Sequence, residues 1–158
     1  MKIWIDSDSC PVRIREIVIK AAVRENIEAV FVANRPIPLK EAENIEFILV
    51  EQGDDSADDY IVSSSIPGDM VITRDILMAG RLVEKKILVI NDRGGIFTKE
   101  NIGERISIRN FMKDLRDIGV YKREDVFDNR DIFAFAATFD RELRKLLINI
   151  PPVPDANG

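Results

Sequence analysis

The chain has 158 residues, 46% hydrophobic and 32% charged, with a formal charge of −5. It therefore fits one globular domain that buries its own core, with no apolar run near the roughly 20 residues of a membrane span and no charge for binding nucleic acid over its whole surface. It contains no histidine and one cysteine, which excludes Ser-His-Asp and Cys-His catalysis, histidine ligation, thiolate zinc and an internal disulfide, leaving carboxylates, a metal, lysine, arginine or the one thiol to carry any chemistry.

The opening MKIWID reads as a strand over Lys2–Asp6, too short and too polar at its end for a secretory leader, so a cytoplasmic protein is expected. Pro11 follows at the place of a first helical residue, and Ile14, Ile17, Val18, Ala21 and Ala22 fall at helical spacing, giving a helix from about Pro11 to Glu25. Short Ile- and Val-rich segments at Ala29–Ala33, Glu46–Val50, Met70–Thr73 and Ile87–Ile90 read as further strands, and runs such as MVI and ILVI suit strands covered on both faces. Between the third and fourth, GDDSADDYIVSSSI reads as a loop and a helix capped by Asp54 or Asp55, with Ile61, Val62 and Ile66 inward. RDILMAGRLVEKK reads as a helix after the fourth strand. The last third is helical, over Thr98–Gly119 and about Asn129–Asn149; the clearest apolar positions are Ile132, Phe135, Ala136, Phe139, Leu143, Leu146 and Leu147. PPVPDANG at the end reads as a disordered tail over 151–158, and residues 1–150 as a single α/β domain built on a mainly parallel sheet.

In such a sheet ligands collect beyond the carboxyl ends of the strands, where neighbouring connections leave for opposite faces. Asp6 ends the first strand, Asp8 lies two residues on, Asp75 follows the fourth, and Asp58 with Asp59 sits near the start of the helix after the third. If the first and fourth strands are neighbours, Asp6, Asp8 and Asp75 converge. Carboxylates so crowded raise one another's pKa unless a cation shares the space, and oxygen-only ligands suit Mg²⁺ or Mn²⁺. Such an ion activates water for phosphoryl chemistry without histidine. Aspartate is also an ordinary cap and turn residue, the competing reading for each acid and the favoured one for Asp54, Asp55 and Asp59 taken singly.

Thr73 and Asn91 close the fourth and fifth strands, and Arg74 and Arg93 lie beside the same edge, where guanidinium groups can bind phosphate oxygens. Arg105, Arg109, Lys113 and Arg116 recur every three or four residues as one basic stripe. Cys10 at a helix start could be a low-pKa nucleophile, but the phosphatase loop that uses this has arginine six positions on; here that position is Glu16, and Arg15 comes one residue early. A small buried or capping role is favoured for the thiol. Exposed apolar residues of the last helix, such as Phe133, could bury a homodimer contact.

DSDSCP, VAN at Val32–Asn34, GDDSADDYIV, GDMVITRD, NDRG and RNFMKDLRDIG occur in that order. From Lys2 to Phe139 the chain thereby resembles the uncharacterised bacterial YaiI/YqxD family, whose members look like PIN-domain proteins. The resemblance implies a PIN-like three-layer sandwich with extra C-terminal helices, and an acidic cluster of the kind with which PIN nucleases hold Mg²⁺ or Mn²⁺ to cut single-stranded RNA. By motif position Asp6 matches the first-strand acid, Asp58 the helix-start acid and Asp75 the acid after the fourth strand. Asp8 is an additional acid, and the D-x-D-x-C-P turn departs from ordinary PIN nucleases. The expected function is a metal-dependent nuclease acting on RNA or other single-stranded nucleic acid, with Asp6, Asp8, Asp58 and Asp75 as metal-binding and catalytic residues and Thr73, Arg74, Asn91, Arg93 and Arg109 as substrate contacts. Two alternatives stay open: a non-catalytic PIN-like module that binds RNA, nucleotide or protein, and a haloacid-dehalogenase-like phosphatase with Asp6 as nucleophile and Thr73 and Lys85 in the later roles.

Overall fold

A computed structural model describes residues 1–53, 56–120 and 126–149. Six strands, β1 (Lys2–Asp6), β2 (Glu28–Ala33), β3 (Ile45–Leu49), β4 (Met70–Ile72), β5 (Leu88–Ile90) and β6 (Ile96–Phe97), form one sheet in the order β3-β2-β1-β4-β5-β6. All pairings are parallel except β5 with β6. Parallel neighbours need crossover connections: α1 (Val12–Glu25) joins β1 to β2 and α3 (Ile76–Glu84) joins β4 to β5, α2 (Ser56–Ser64) leads from β3 across to β4, and residues 34–44 join β2 to β3 without a helix. Two further helices, α4 (Ile102–Asp117) and α5 (Asn129–Ile148), complete the chain.

The pleat of β1 divides the interior into two cores. Ile3 and Ile5 face the layer of α1 and α5, meeting Ile14, Val18, Phe135 and Phe139. Trp4, between them, faces the layer of α2 and α3, meeting Ile61, Met78 and Leu82. A sheet covered on both faces explains why β2, β4 and β5 are almost wholly apolar and buried. The α/β three-layer reading of the sequence is therefore what the chain adopts.

Several local expectations shift. Pro11 stands before the helix as its extended flanking residue, with ψ at 146°, rather than as the first helical residue. Ile66 lies beyond α2 in the turn to β4 and is exposed, whereas Ile61 is buried as expected. The fourth helix starts at Ile102 and not Thr98, because Thr98 and Asn101 close a turn first: each side chain accepts the other's backbone N–H. β6 has no counterpart in the sequence reading, since two residues carry no readable periodicity. The Asp54 or Asp55 cap and the tail over 151–158 lie outside the described residues.

Asp69 anchors the lower end of β4. Its buried carboxylate accepts the backbone N–H of Lys2 and Ile66 and the indole N–H of Trp4, at 2.9–3.0 Å. Three donors satisfy most of the oxygen lone pairs of a buried acid, which is how its charge is tolerated there. Among the described residues no helix is long and apolar enough to cross a membrane.

Candidate active site at the strand edge

The chain leaves β1 toward β2 through α1 on one face, and leaves β4 toward β5 through α3 on the other. β1 and β4 are hydrogen-bonded neighbours, so the connections part between them and open a crevice at their carboxyl ends. Asp6 and Thr73 occupy that point. The Thr73 hydroxyl donates to Asp6 Oδ2 at 2.9 Å, and its own oxygen accepts the backbone N–H of Asp75 at 3.0 Å. One threonine thus joins the acid at the end of β1 to the acid that begins α3.

Asp6 is 8% exposed. Burial raises its pKa from 3.8 to about 6; the Thr73 hydrogen bond works against this, the nearby charges of Asp75 and then Asp8 add to it, and Arg74 opposes it. Asp75 and Asp8 thus lie near enough for their charges to act on Asp6. The three do not form a ready-made cage: among the described residues no three acidic or thiol side chains come close enough to hold a metal.

The reason lies in competing bonds. Asp75 caps α3, its Oδ1 accepting the N–H groups of Leu77 and Met78 at 3.0 and 3.1 Å. Asp8 turns toward the end of β2, where both oxygens accept the N–H of Asn34 and one lies 3.9 Å from Arg35 Nε. Asp6 Oδ1 and Asp75 Oδ2 make no hydrogen bond among the described residues and are the two oxygens left for a ligand. Asp58 is half-buried on the first turn of α2, and the charges that act most on Asp6 do not include it. Its neighbour Asp59 pairs with Arg81 at 2.9 Å, a surface role.

Beside the acids the polarity reverses. Arg74 donates through Nε and Nη2 to Oδ2 of the buried Asp92. These two residues line a small cleft with Asp6, Ser9, Cys10 and Thr73, and also a cavity of about 130 Å³ with Asn91, Arg93 and Arg105. Asn91 holds the turn after β5, its Oδ1 accepting the N–H groups of Arg93 and Gly95 at 2.9 and 2.8 Å. That turn sits so close to α5 that a Cβ on Gly94, whose φ is +85°, would lie 2.5 Å from the Ala134 carbonyl oxygen. Arg109 hydrogen-bonds Asn110 at 3.0 Å, whereas Arg105, one turn earlier on the same stripe, lines the cavity.

Two residues near the cleft add to the sequence reading. Burial pushes the Cys10 thiol up to about 12, Asp92 adding to the shift and Arg15 opposing it, so it stays protonated; its S–H faces the Pro11 carbonyl at 3.7 Å. Cys10 is half-buried and α1 has no side-chain cap hydrogen bond, and a protonated thiol does not support the nucleophile reading. Arg15, on the first turns of α1, is 9% exposed, and its Nε and Nη1 find no hydrogen-bond partner among the described residues. Its signal in the sequence is a cationic residue next to Ile14 on the apolar face, where lysine or arginine should not fall. Lys85 is also placed: its ammonium donates to the carbonyls of Val62 and Ser65 at the end of α2, which ties it to that helix.

The model of the family described as "Uncharacterized BCR, YaiI/YqxD family" matches residues 4–145. The chain is 47% identical over 148 residues to a UPF0178 protein of Treponema pallidum, covering 93% of this chain and 84% of that one. It is 43% identical over 146 residues to a UPF0178 protein of Syntrophobacter fumaroxidans (92% and 95%), and 41% over 152 residues to one of Myxococcus xanthus (96% and 99%). No solved structure matches.

Proposed function

The chain belongs to the uncharacterised bacterial YaiI/YqxD family, and on that footing we propose that it is a metal-dependent phosphodiesterase acting on RNA or other single-stranded nucleic acid. The observation that carries the reading is the buried Asp6 at the switch point, its carboxyl held near pKa 6, with the open oxygen of Asp75 beside it and arginines along the adjoining wall. Strand order β3-β2-β1-β4-β5 with acids after β1 and β4 supports the likeness to PIN nucleases suggested by the motifs.

The donor set fits Mg²⁺ or Mn²⁺ of the kind that keeps several waters and is held by one or two carboxylates plus substrate phosphate, rather than a closed protein cage. Asp6 Oδ1 and Asp75 Oδ2 would be the protein ligands, and the ion would supply a more acidic water and charge neutralisation at phosphorus. The chain's own residues do the rest. Thr73 fixes the Asp6 carboxylate and the start of α3 against each other, Asp8 contributes charge from the end of β2, and the Arg74–Asp92 pair holds a guanidinium at the rim where it meets phosphate oxygens. Asp58 is the remaining acidic candidate. Asn91 and Arg93 act on substrate through the turn they form, and Arg109 through the outer part of the stripe.

Cleavage of single-stranded RNA in Mn²⁺ tests this. The reading expects activity that rises as pH passes about 6 and that disappears in Asp6→Asn and Asp75→Asn; a double variant that cleaves as well as the parent would remove it. A non-catalytic RNA-binding module is the second reading, favoured by the commitment of Asp8 and half of Asp75 to backbone N–H groups. Binding that ignores Mn²⁺ and is never followed by cleavage distinguishes it. The phosphatase reading loses support from the engagement of Lys85 with the end of α2.

A further inference from the structure

The cavity of about 130 Å³ next to the acids is lined, among the described residues, by Arg74, Arg93 and Arg105 and by one carboxylate, Asp92. Asp92 is already engaged by Arg74. Each cation is fixed in a different way: Arg74 by that pair, Arg105 by lying 5.0 Å from the centre of the Phe97 ring, and Arg93 by lying 5.9 Å from the Phe127 ring while its backbone is held by Asn91. The hollow is smaller than the roughly 300–1,000 Å³ of pockets that enclose a drug-sized molecule, which suits a single tetrahedral oxyanion and not a base with its sugar. Arginine rather than lysine on all three walls suits the planar, forked recognition of phosphate oxygens.

We propose that Arg74, Arg93 and Arg105 form a phosphate subsite, contiguous through Arg74 and Asp92 with the cleft at Asp6. It deepens the phosphodiesterase reading and rests on it only for what happens at Asp6: a strand whose phosphate fills this hollow brings its neighbouring phosphate to the acids. Arg105 is the residue that the basic stripe contributes; Lys113, two turns further along α4, lies outside the cavity.

The test is binding, in EDTA, of fluorescent single-stranded RNA hexamers carrying either a 5′-phosphate or a 5′-hydroxyl, with inorganic phosphate as competitor. Arg105→Ala is expected to weaken binding about tenfold or more, the equivalent of one charge-assisted hydrogen bond. It should also make the dependence of log K on log salt shallower by roughly 0.7 for each phosphate the variant no longer neutralises. Lys113→Ala is expected to bind as the parent does. A preference for the 5′-phosphate assigns the subsite to strand ends, equal binding assigns it to internal phosphodiesters, and both support it. Parent-like binding by Arg105→Ala, or an equal loss in Lys113→Ala, overturns it in favour of diffuse surface charge. Arg105-dependent binding without Mn²⁺-dependent cleavage would leave the subsite standing and the phosphodiesterase reading fallen.

Discussion

Replacing Asp6 by asparagine removes an ionisation that the fold resists. The amide keeps an oxygen for the Thr73 hydroxyl and nearly the same volume, so the change is in charge and little else. The carboxyl titrates near 3.8 in the unfolded chain and at about 6 in the folded one. A raised acid binds more protons folded than unfolded between those values, so the parent loses stability as pH climbs from about 4 through 6 and then levels off. A difference of about 2 units at roughly 1.4 kcal/mol each amounts to about 3 kcal/mol. Asp6→Asn has no such loss. In urea unfolding, the variant's stability relative to the parent is expected to rise by about that amount between pH 4 and pH 7.5, all other titrating groups being common to both proteins. A flat difference across that range would refute the assignment of burial as the dominant influence on Asp6, and with it the electrostatic basis of the site.

Three further outcomes follow from single contacts. Thr73→Val deletes the hydrogen bond that lowers the Asp6 pKa, so the carboxyl observed by ¹³C NMR should titrate higher than in the parent, and an unchanged midpoint would contradict the geometry. Asp69→Asn places an amide donor among the N–H groups of Lys2, Trp4 and Ile66, and is expected to cost about 1–3 kcal/mol in denaturant unfolding while leaving RNA binding in EDTA unchanged. Cys10, held protonated by burial, should react with iodoacetamide at pH 8 far more slowly in the native protein than in urea; equal rates would mean an accessible thiolate.

The strands and the crossover helices are legible in the sequence because burial on both faces turns β2, β4 and β5 into near-continuous apolar runs, and because α1 and α5 carry their buried residues at helical spacing. The edge on which Asp6, Thr73, Arg74 and Asp75 meet follows from the topology rule alone. The directions of the acids do not. Whether Asp8 looks toward Asp6 or toward the Asn34 amide is decided by a turn of a few residues, and whether Asp75 is a ligand or a cap is decided by where α3 starts. That Arg105 lines the cavity beside Asn91 and Arg93 depends on where α4 begins, which the turn closed by Thr98 and Asn101 sets at Ile102. Arg15 escapes notice because sequence patterning assigns polar residues to the surface by default.

α4 has no buried residue along its 16 positions and leans chiefly on α3. An element so lightly held is expected to open at a lower free energy than the sheet, with faster amide exchange. Since Arg105 is carried on that helix while Arg74 and Arg93 are carried on the turns after β4 and β5, the cavity is lined from two separately supported parts of the molecule. Any anion spanning both tightens the helix by its own binding energy, so occupancy and helix docking are one linked equilibrium: deuterium uptake along α4 is itself a gauge of what the cavity holds.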